Sequence, residues 1–184
     1  MKATEQLKAE HNGIKLMLRI LDEMCRRLES GTQLNLEHLD SVVEFLKVFV
    51  DKCHHGKEED LLFPAMEEVG VPREGGPIGA MLAEHNVGRD YVRRMSEAIV
   101  KYKSGDRKSS AEIVTNARQY MALLRSHIEK EDGVLYALAD AHLLPEKQEE
   151  LAERFETIER ERIGVGRHEQ FHKLMRQLEQ LYLK

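Results

Sequence analysis

Two histidine-centred strings recur along this chain. Ala9-Glu10-His11-Asn12 returns as Ala83-Glu84-His85-Asn86. Each copy is followed by a longer string, His54-His55-Gly56-Lys57-Glu58-Glu59 after the first and His127-Ile128-Glu129-Lys130-Glu131-Asp132 after the second. Both run on to a leucine and an aromatic residue, Leu62-Phe63 and Leu135-Tyr136. His11 precedes His54 by 43 residues and His85 precedes His127 by 42, so the chain holds two versions of one pattern.

On a helix, residues four apart share a face about 6 Å apart. His54 with Glu58, and His127 with Glu131, therefore point the same way. Imidazole and carboxylate together are metal ligands, and two histidines with one carboxylate is a ligand set typical of non-heme iron. Each half supplies one such set: His11, His54 and Glu58, then His85, His127 and Glu131. A buried carboxylate without a partner costs several kcal/mol, a penalty that a bound cation removes. Carboxylates also bridge paired metals in four-helix proteins, a role open to Glu58 and Glu131. A lone buried histidine is more often a hydrogen-bonded core residue than a ligand. Four on one layer, with two glutamates four residues on, favour a dinuclear site over a metal-free polar network.

The elements that must position these groups are helices. Leu7, His11, Ile14, Leu18, Leu21, Cys25 and Leu28 step by four and three residues, drawing one stripe along a helix that Gly31 closes. Val43, Leu46, Val50, His54, Glu58, Leu61 and Ala65 form the second stripe, and the loop Gly70 to Pro77 follows. Ile78, Met81, His85, Gly88, Val92, Met95, Ile99 and Tyr102 form the third. Ser109 and Glu112 read as a capping box for a fourth helix. Its stripe runs through Ile113, Asn116 or Ala117, Tyr120, Leu124, His127, Glu131, Leu135 and Leu138. Each stripe carries a histidine where a leucine would serve as well. The expected fold is all-α: an up-down-up-down four-helix bundle over 1–142, with a helical extension over 143–184. Pro145 starts that extension, which breaks near Gly164-Val165-Gly166 and resumes through His168. At 1.5 Å per residue, antiparallel packing brings the four histidines to about one level.

Composition narrows the class. A net charge of −5 indicates no nucleic-acid surface, and no apolar run reaches a membrane span. The first residues lack the apolar stretch of a signal peptide. Cys25 and Cys53 make no disulfide framework, and both read as small buried apolar residues in a cytoplasmic protein.

The pattern EH…HHxKEExxLFP…EH…HxxKE resembles the hemerythrin-like, or HHE cation-binding, domain over roughly residues 5 to 142, and HHGKEEDLLFP is its most specific stretch. The whole chain, with Gly164 to Glu169, is also similar to a bacterial subgroup bearing a C-terminal fifth helix. The resemblance implies a bundle around an oxo- or hydroxo-bridged centre of two iron ions. It implies His11, His54, Glu58, His85, His127 and Glu131 as ligands, with Glu131 as a bridge. Oxygen carriers of the family have a second histidine four residues along the third helix, where this chain has Arg89. They also place the fourth-helix carboxylate five residues after its histidine, and here the spacing is four. These departures argue against simple oxygen carriage and for an open position reactive to oxygen, peroxide or nitric oxide. His168, Glu159, Tyr91 and Tyr120 are candidates to fill that position. His55, about 100° round the helix from His54, is expected behind the ligands or partly exposed. Lys57 and Lys130 read as solvated or paired with acids; His38, His142 and His172 as non-ligands. The expected partner is a small-molecule oxidant, with no nucleic acid and no membrane. A metal-storing or iron-sensing module without turnover is the alternative, and manganese or zinc would suit the same ligands.

Overall fold

The computed structural model describes residues 2–184 and is helical, with no strand among the described residues. Four antiparallel rods form the bundle. The first is α1 (Ala3–Ser30). The second is built from α2 (Leu36–Phe45), the π-helical segments Leu46–His55 and Glu58–Leu62, and α3 (Phe63–Glu68). The third is α4 (Pro77–Lys103). The fourth joins α5 (Ser109–Lys130), a π-helical turn at Glu131–Leu135, and α6 (Tyr136–His142). Beyond them lie α7 (Pro145–Ile158), a π-helical turn at Glu159–Ile163, and α8 (Arg167–Tyr182). None of these helices is long and apolar enough to cross a membrane.

Local chemistry sets the ends of the rods. Gly31 closes α1 in the left-handed region at φ 68°, where a side chain would be strained, and its N–H donates to the Arg27 carbonyl. The Asn35 side chain accepts from the Glu37 N–H and caps α2. Pro77 sits in the first turn of α4, where its missing N–H is not needed. The capping box expected at Ser109 does not form. Ser109 is already helical and its hydroxyl donates to Asp106 at 2.9 Å, while Glu112 is drawn off to Lys101. Asp106, which also accepts from the Lys108 N–H, organises this turn instead.

The stripes do face inward. Leu7, Leu18, Leu21, Val50, Leu61, Ile78, Met95, Ile113 and Leu124 are all buried. Each such side chain contributes about 1.5–3 kcal/mol. Asn116 and Ala117 were alternatives on the fourth stripe; Ala117 is the buried one. The core falls into two apolar clusters. One holds Ile14 to Cys25, Leu39 to Val50, Val92 to Ile99 and Ile113 to Ile128. The other holds Leu7, Leu61 to Met66, Ile78, Met81, Leu135 and Tyr136. In every rod the histidine or glutamate lies between the residues of the two clusters. A polar layer thus cuts the core across.

The extension spans both halves. Leu151, Phe155 and Ile158 of α7 join the second cluster; Phe171, Met175, Leu178 and Tyr182 of α8 join the first. Between them, the π-helical turn at Glu159–Ile163 lies against the second rod at the level of the polar layer. A Cβ at Gly56 would come within 2.6 Å of the tip of the Arg162 side chain, which would have to shift to make room.

Candidate metal centre

The polar layer is organised by nitrogen pairs. His11 Nε2 lies 3.0 Å from His54 Nε2, and His85 Nε2 lies 3.1 Å from His127 Nε2. All four rings are essentially buried. The two glutamates link the pairs. Glu131 Oε2 is 3.2 Å from His11 Nε2, while Glu131 Oε1 is 2.9 Å from His127 Nε2. Glu58 Oε2 is 3.4 Å from His85 Nε2 and 3.9 Å from His54 Nε2. Each carboxylate therefore reaches toward both halves.

Four acids not singled out from the sequence hold the rings from outside. His11 Nδ1 is 2.7 Å from Asp132, and His85 Nδ1 is 2.7 Å from Glu59. His54 Nδ1 is 2.8 Å from Glu10, and His127 Nδ1 is 2.8 Å from Glu84. A carboxylate only accepts, so each Nδ1 carries the donated proton, and each ring, when neutral, presents a lone pair at Nε2. Acids behind the rings are the usual support of metal-bound histidines. The repeat now has a physical meaning. The acid before His11 or His85 grips the histidine of the next rod, and the acid after Glu58 or Glu131 grips the other half. The signal was in the string, since each Glu-His and each Glu-acid pair occurs twice.

Two side chains break the pseudo-symmetry. His55 is buried, which overturns the expectation that it is partly exposed. Its ring stacks on His85 with centroids 3.8 Å apart. Its ligand nitrogen falls within 4.8 Å of those of Glu58, His85 and His127. The second rod runs along the edge of the site. His54 turns toward α1 while His55, the next residue round, turns toward α4. The counterpart of His55 in the other half is Ile128. The second breaker is Tyr136, which corresponds to Phe63. Its hydroxyl donates to Glu58 Oε1 at 2.6 Å and lies 3.5 Å from His11 Nε2. Phe63 offers only a ring, 6.1 Å from His85. One half thus has His11, His54, Glu131 and the Tyr136 hydroxyl; the other has His55, His85, His127 and Glu58.

The residues proposed from sequence for the remaining position lie elsewhere. Glu159 and His168 gather with Glu10 in a separate group on the far side of His54. Tyr91 and Tyr120 pack in the apolar core, and neither hydroxyl bonds to the cluster among the described residues. Lys57 is fully buried between Glu10 and Glu159, whereas the Lys130 side chain, paired with Glu84, is 44% exposed. Burial pushes the Cys25 and Cys53 thiols up to about 12, which fits inert core residues. His142 is exposed; His38 bonds to the Tyr182 hydroxyl.

The donor set fits cations. Glu58 Oε2 and both Glu131 oxygens are buried and accept no hydrogen bond. Opposed lone pairs about 3 Å apart, beside unpartnered carboxylate oxygens, repel unless positive charge lies among them. The titration behaviour shows the same tension. Burial and the charge of Glu131 push the Glu58 carboxyl well up. Burial also pushes Glu131 up, but His11, His127 and His85 outweigh it and hold it well down. Burial drives His54 down to about 4, and burial with the neighbouring imidazoles drives His55 well down.

Comparison with known proteins agrees with this architecture. Uncharacterized proteins of Mycobacterium bovis and Mycobacterium tuberculosis are 27% identical over 163 residues, covering 88% of this chain. The chain spans about 63% of the length of those relatives. A model of the hemerythrin HHE cation binding domain matches residues 2–139. With the helical bundle and its His/Glu layer, this match places the chain in the hemerythrin HHE cation-binding family.

Proposed function

We propose that the chain holds two iron ions and binds or reduces a small oxidant: oxygen, hydrogen peroxide or nitric oxide. One observation carries the reading: two facing pairs of imidazole lone pairs, with two buried glutamates reaching between them. His11, His54 and the Tyr136 hydroxyl would serve one iron, and His55, His85 and His127 the other. Glu58 and Glu131 would lie between them. A bound iron pair would supply electrons and an open coordination position to a small oxidant. The protein residues do the rest. Asp132, Glu10, Glu59 and Glu84 fix the imidazoles and hold their protons at Nδ1. The apolar clusters above and below exclude water. The Tyr136 O–H is held at Glu58, placing a transferable proton at the centre of the layer. The His55 half would supply three imidazoles and the Tyr136 half two, so an open coordination position would fall on the Tyr136 half.

The test is direct. Purified protein loaded anaerobically with Fe(II) should bind about two irons per chain, as the ligand count requires. Exposure to oxygen should raise near-ultraviolet bands, and added peroxide should be consumed catalytically. Binding without spectral change or turnover would favour a metal-sensing role, and a colourless zinc protein would refute the iron reading.

A further inference from the structure

The four acids that back the imidazoles make four corners, and one corner differs from the rest. The Asp132, Glu59 and Glu84 side chains are 30%, 25% and 22% exposed, and their cations Lys15, Arg89 and Lys130 reach into solvent. The Glu10 side chain, behind His54, is 6% exposed, and its cation Lys57 is fully covered. The cover is the π-helical turn Glu159–Ile163. Glu159 accepts from Lys57 and, at 3.2 Å, from Gln6 Nε2.

This turn is held differently from its flanks. Leu151, Phe155 and Ile158 anchor α7 in the core, and Phe171, Met175, Leu178 and Tyr182 anchor α8. No residue from 159 to 163 is buried, and none belongs to either apolar cluster. Besides the links of Glu159, Arg162 pairs with Asp60, and Arg167 at the start of α8 pairs with Glu44. The Arg162 and Asp60 side chains are 41% and 50% exposed, and ion pairs so placed hold weakly. Gly164, at φ 95°, ends the turn. A segment without buried apolar contacts opens at lower cost than the core. Lifting it leaves both clusters intact, and Lys57 keeps Glu10 as its partner, so no buried charge is orphaned.

A groove of about 570 Å³ borders the turn, lined by Gln6, Glu149, Glu153, Glu156, Glu159 and His168. Four carboxylates in one groove draw cations toward it. A ring nitrogen of His168 lies within 4.8 Å of carboxylate oxygens of Glu159 and Glu10. The Nε2 of that ring is buried without a hydrogen-bond partner among the described residues. These donors lead from the groove to the acid that grips His54. We infer that the turn 159–163 is an ionically latched cover, and that metal ions enter and leave the His54 corner when it lifts. The inference rests on the reading of the polar layer as a metal centre, in which His54 belongs to the half with two imidazoles.

The test follows release of metal. Protein loaded anaerobically with Fe(II) is assayed for bound iron, then mixed with excess ferrozine, and the absorbance of the Fe(II)–ferrozine complex gives the rate of loss. Arg162→Gln combined with Arg167→Gln should leave the iron ratio unchanged and speed release about two- to thirtyfold, the combined range of two exposed ion pairs. Lys15→Gln removes an exposed ion pair at the His11 corner of the same half and should leave the rate unchanged. Hydrogen exchange of metal-free protein gives a second readout: amides of 159–163 should exchange faster than those of α7 and α8, and faster again in the double variant. Protection over 159–163 equal to that of α7, or equal acceleration of release by Lys15→Gln, would overturn the inference. A full iron ratio with unmoved release in the double variant refutes the route alone, whereas failure to bind iron refutes the metal centre and the route with it.

Discussion

Lys57 and Lys130 occupy equivalent places in the two repeats, yet their removal should have very different effects. Lys57 is fully buried, donates to both Glu10 and Glu159, and lies 5.6 Å from the centre of the Phe155 ring. Lys57→Met would leave Glu10, itself only 7% exposed, as an uncompensated buried charge. Breaking a buried pair in this way costs about 3–5 kcal/mol. Lys130 pairs with Glu84 at the surface, and Lys130→Met should cost about 0–1 kcal/mol. For a chain of this size each kcal/mol moves the melting temperature by about 2–4 °C. Calorimetry should therefore show a fall of about 6–20 °C for Lys57→Met and below about 4 °C for Lys130→Met. Glu10 also grips His54, so Lys57→Met should in addition weaken metal retention against a chelator. Equal shifts for the two variants would refute the claim that the extension has converted one half of a symmetric pattern into a buried ionic link.

Further outcomes follow from the asymmetry and the titrations. His55→Leu makes that position resemble Ile128, so bound iron should fall from about two per chain toward one, while His168→Leu should leave the ratio unchanged; metal analysis decides. Tyr136→Phe removes the only hydrogen bond reaching Glu58 among the described residues and should destabilise metal-free protein by about 1–3 kcal/mol in urea melts. Metal-free protein should melt highest near pH 6.5, about the unfolded histidine value. Below that, His54, lowered to about 4 by burial, and His55, lowered by burial and neighbouring imidazoles, bind fewer protons folded than unfolded, so stability is lost as pH falls. Above it, His11 and His85, which Asp132, Glu59 and Glu131 raise against the opposing effect of burial, bind more protons folded, so stability is lost as pH rises. Metal competes with protons for the same nitrogens, so loaded protein should instead hold its stability from pH 6.5 to 8 in the same melting series.

The rods were legible because apolar period depends on local spacing. The level of the histidines was legible because short loops force antiparallel register. His55 was not, since placing it needs the position of the second rod relative to α4, and a helical wheel drawn for one rod lacks that neighbour. Tyr136 was hidden differently. Its place in the string was visible, opposite Phe63, but a ring at that position packs equally well with or without a hydroxyl. The four outer acids sat inside the quoted strings, one residue from a ligand, where a solvated charge looks the same. Only the cross-rod distances separate the two roles.

The most direct measurement is anomalous diffraction at the iron edge from crystals of the iron-loaded protein. Two separate peaks should lie between Glu58 and Glu131, one beside His11 and His54, the other beside His55, His85 and His127. A single peak, or none within reach of these imidazoles, would contradict the two-iron centre.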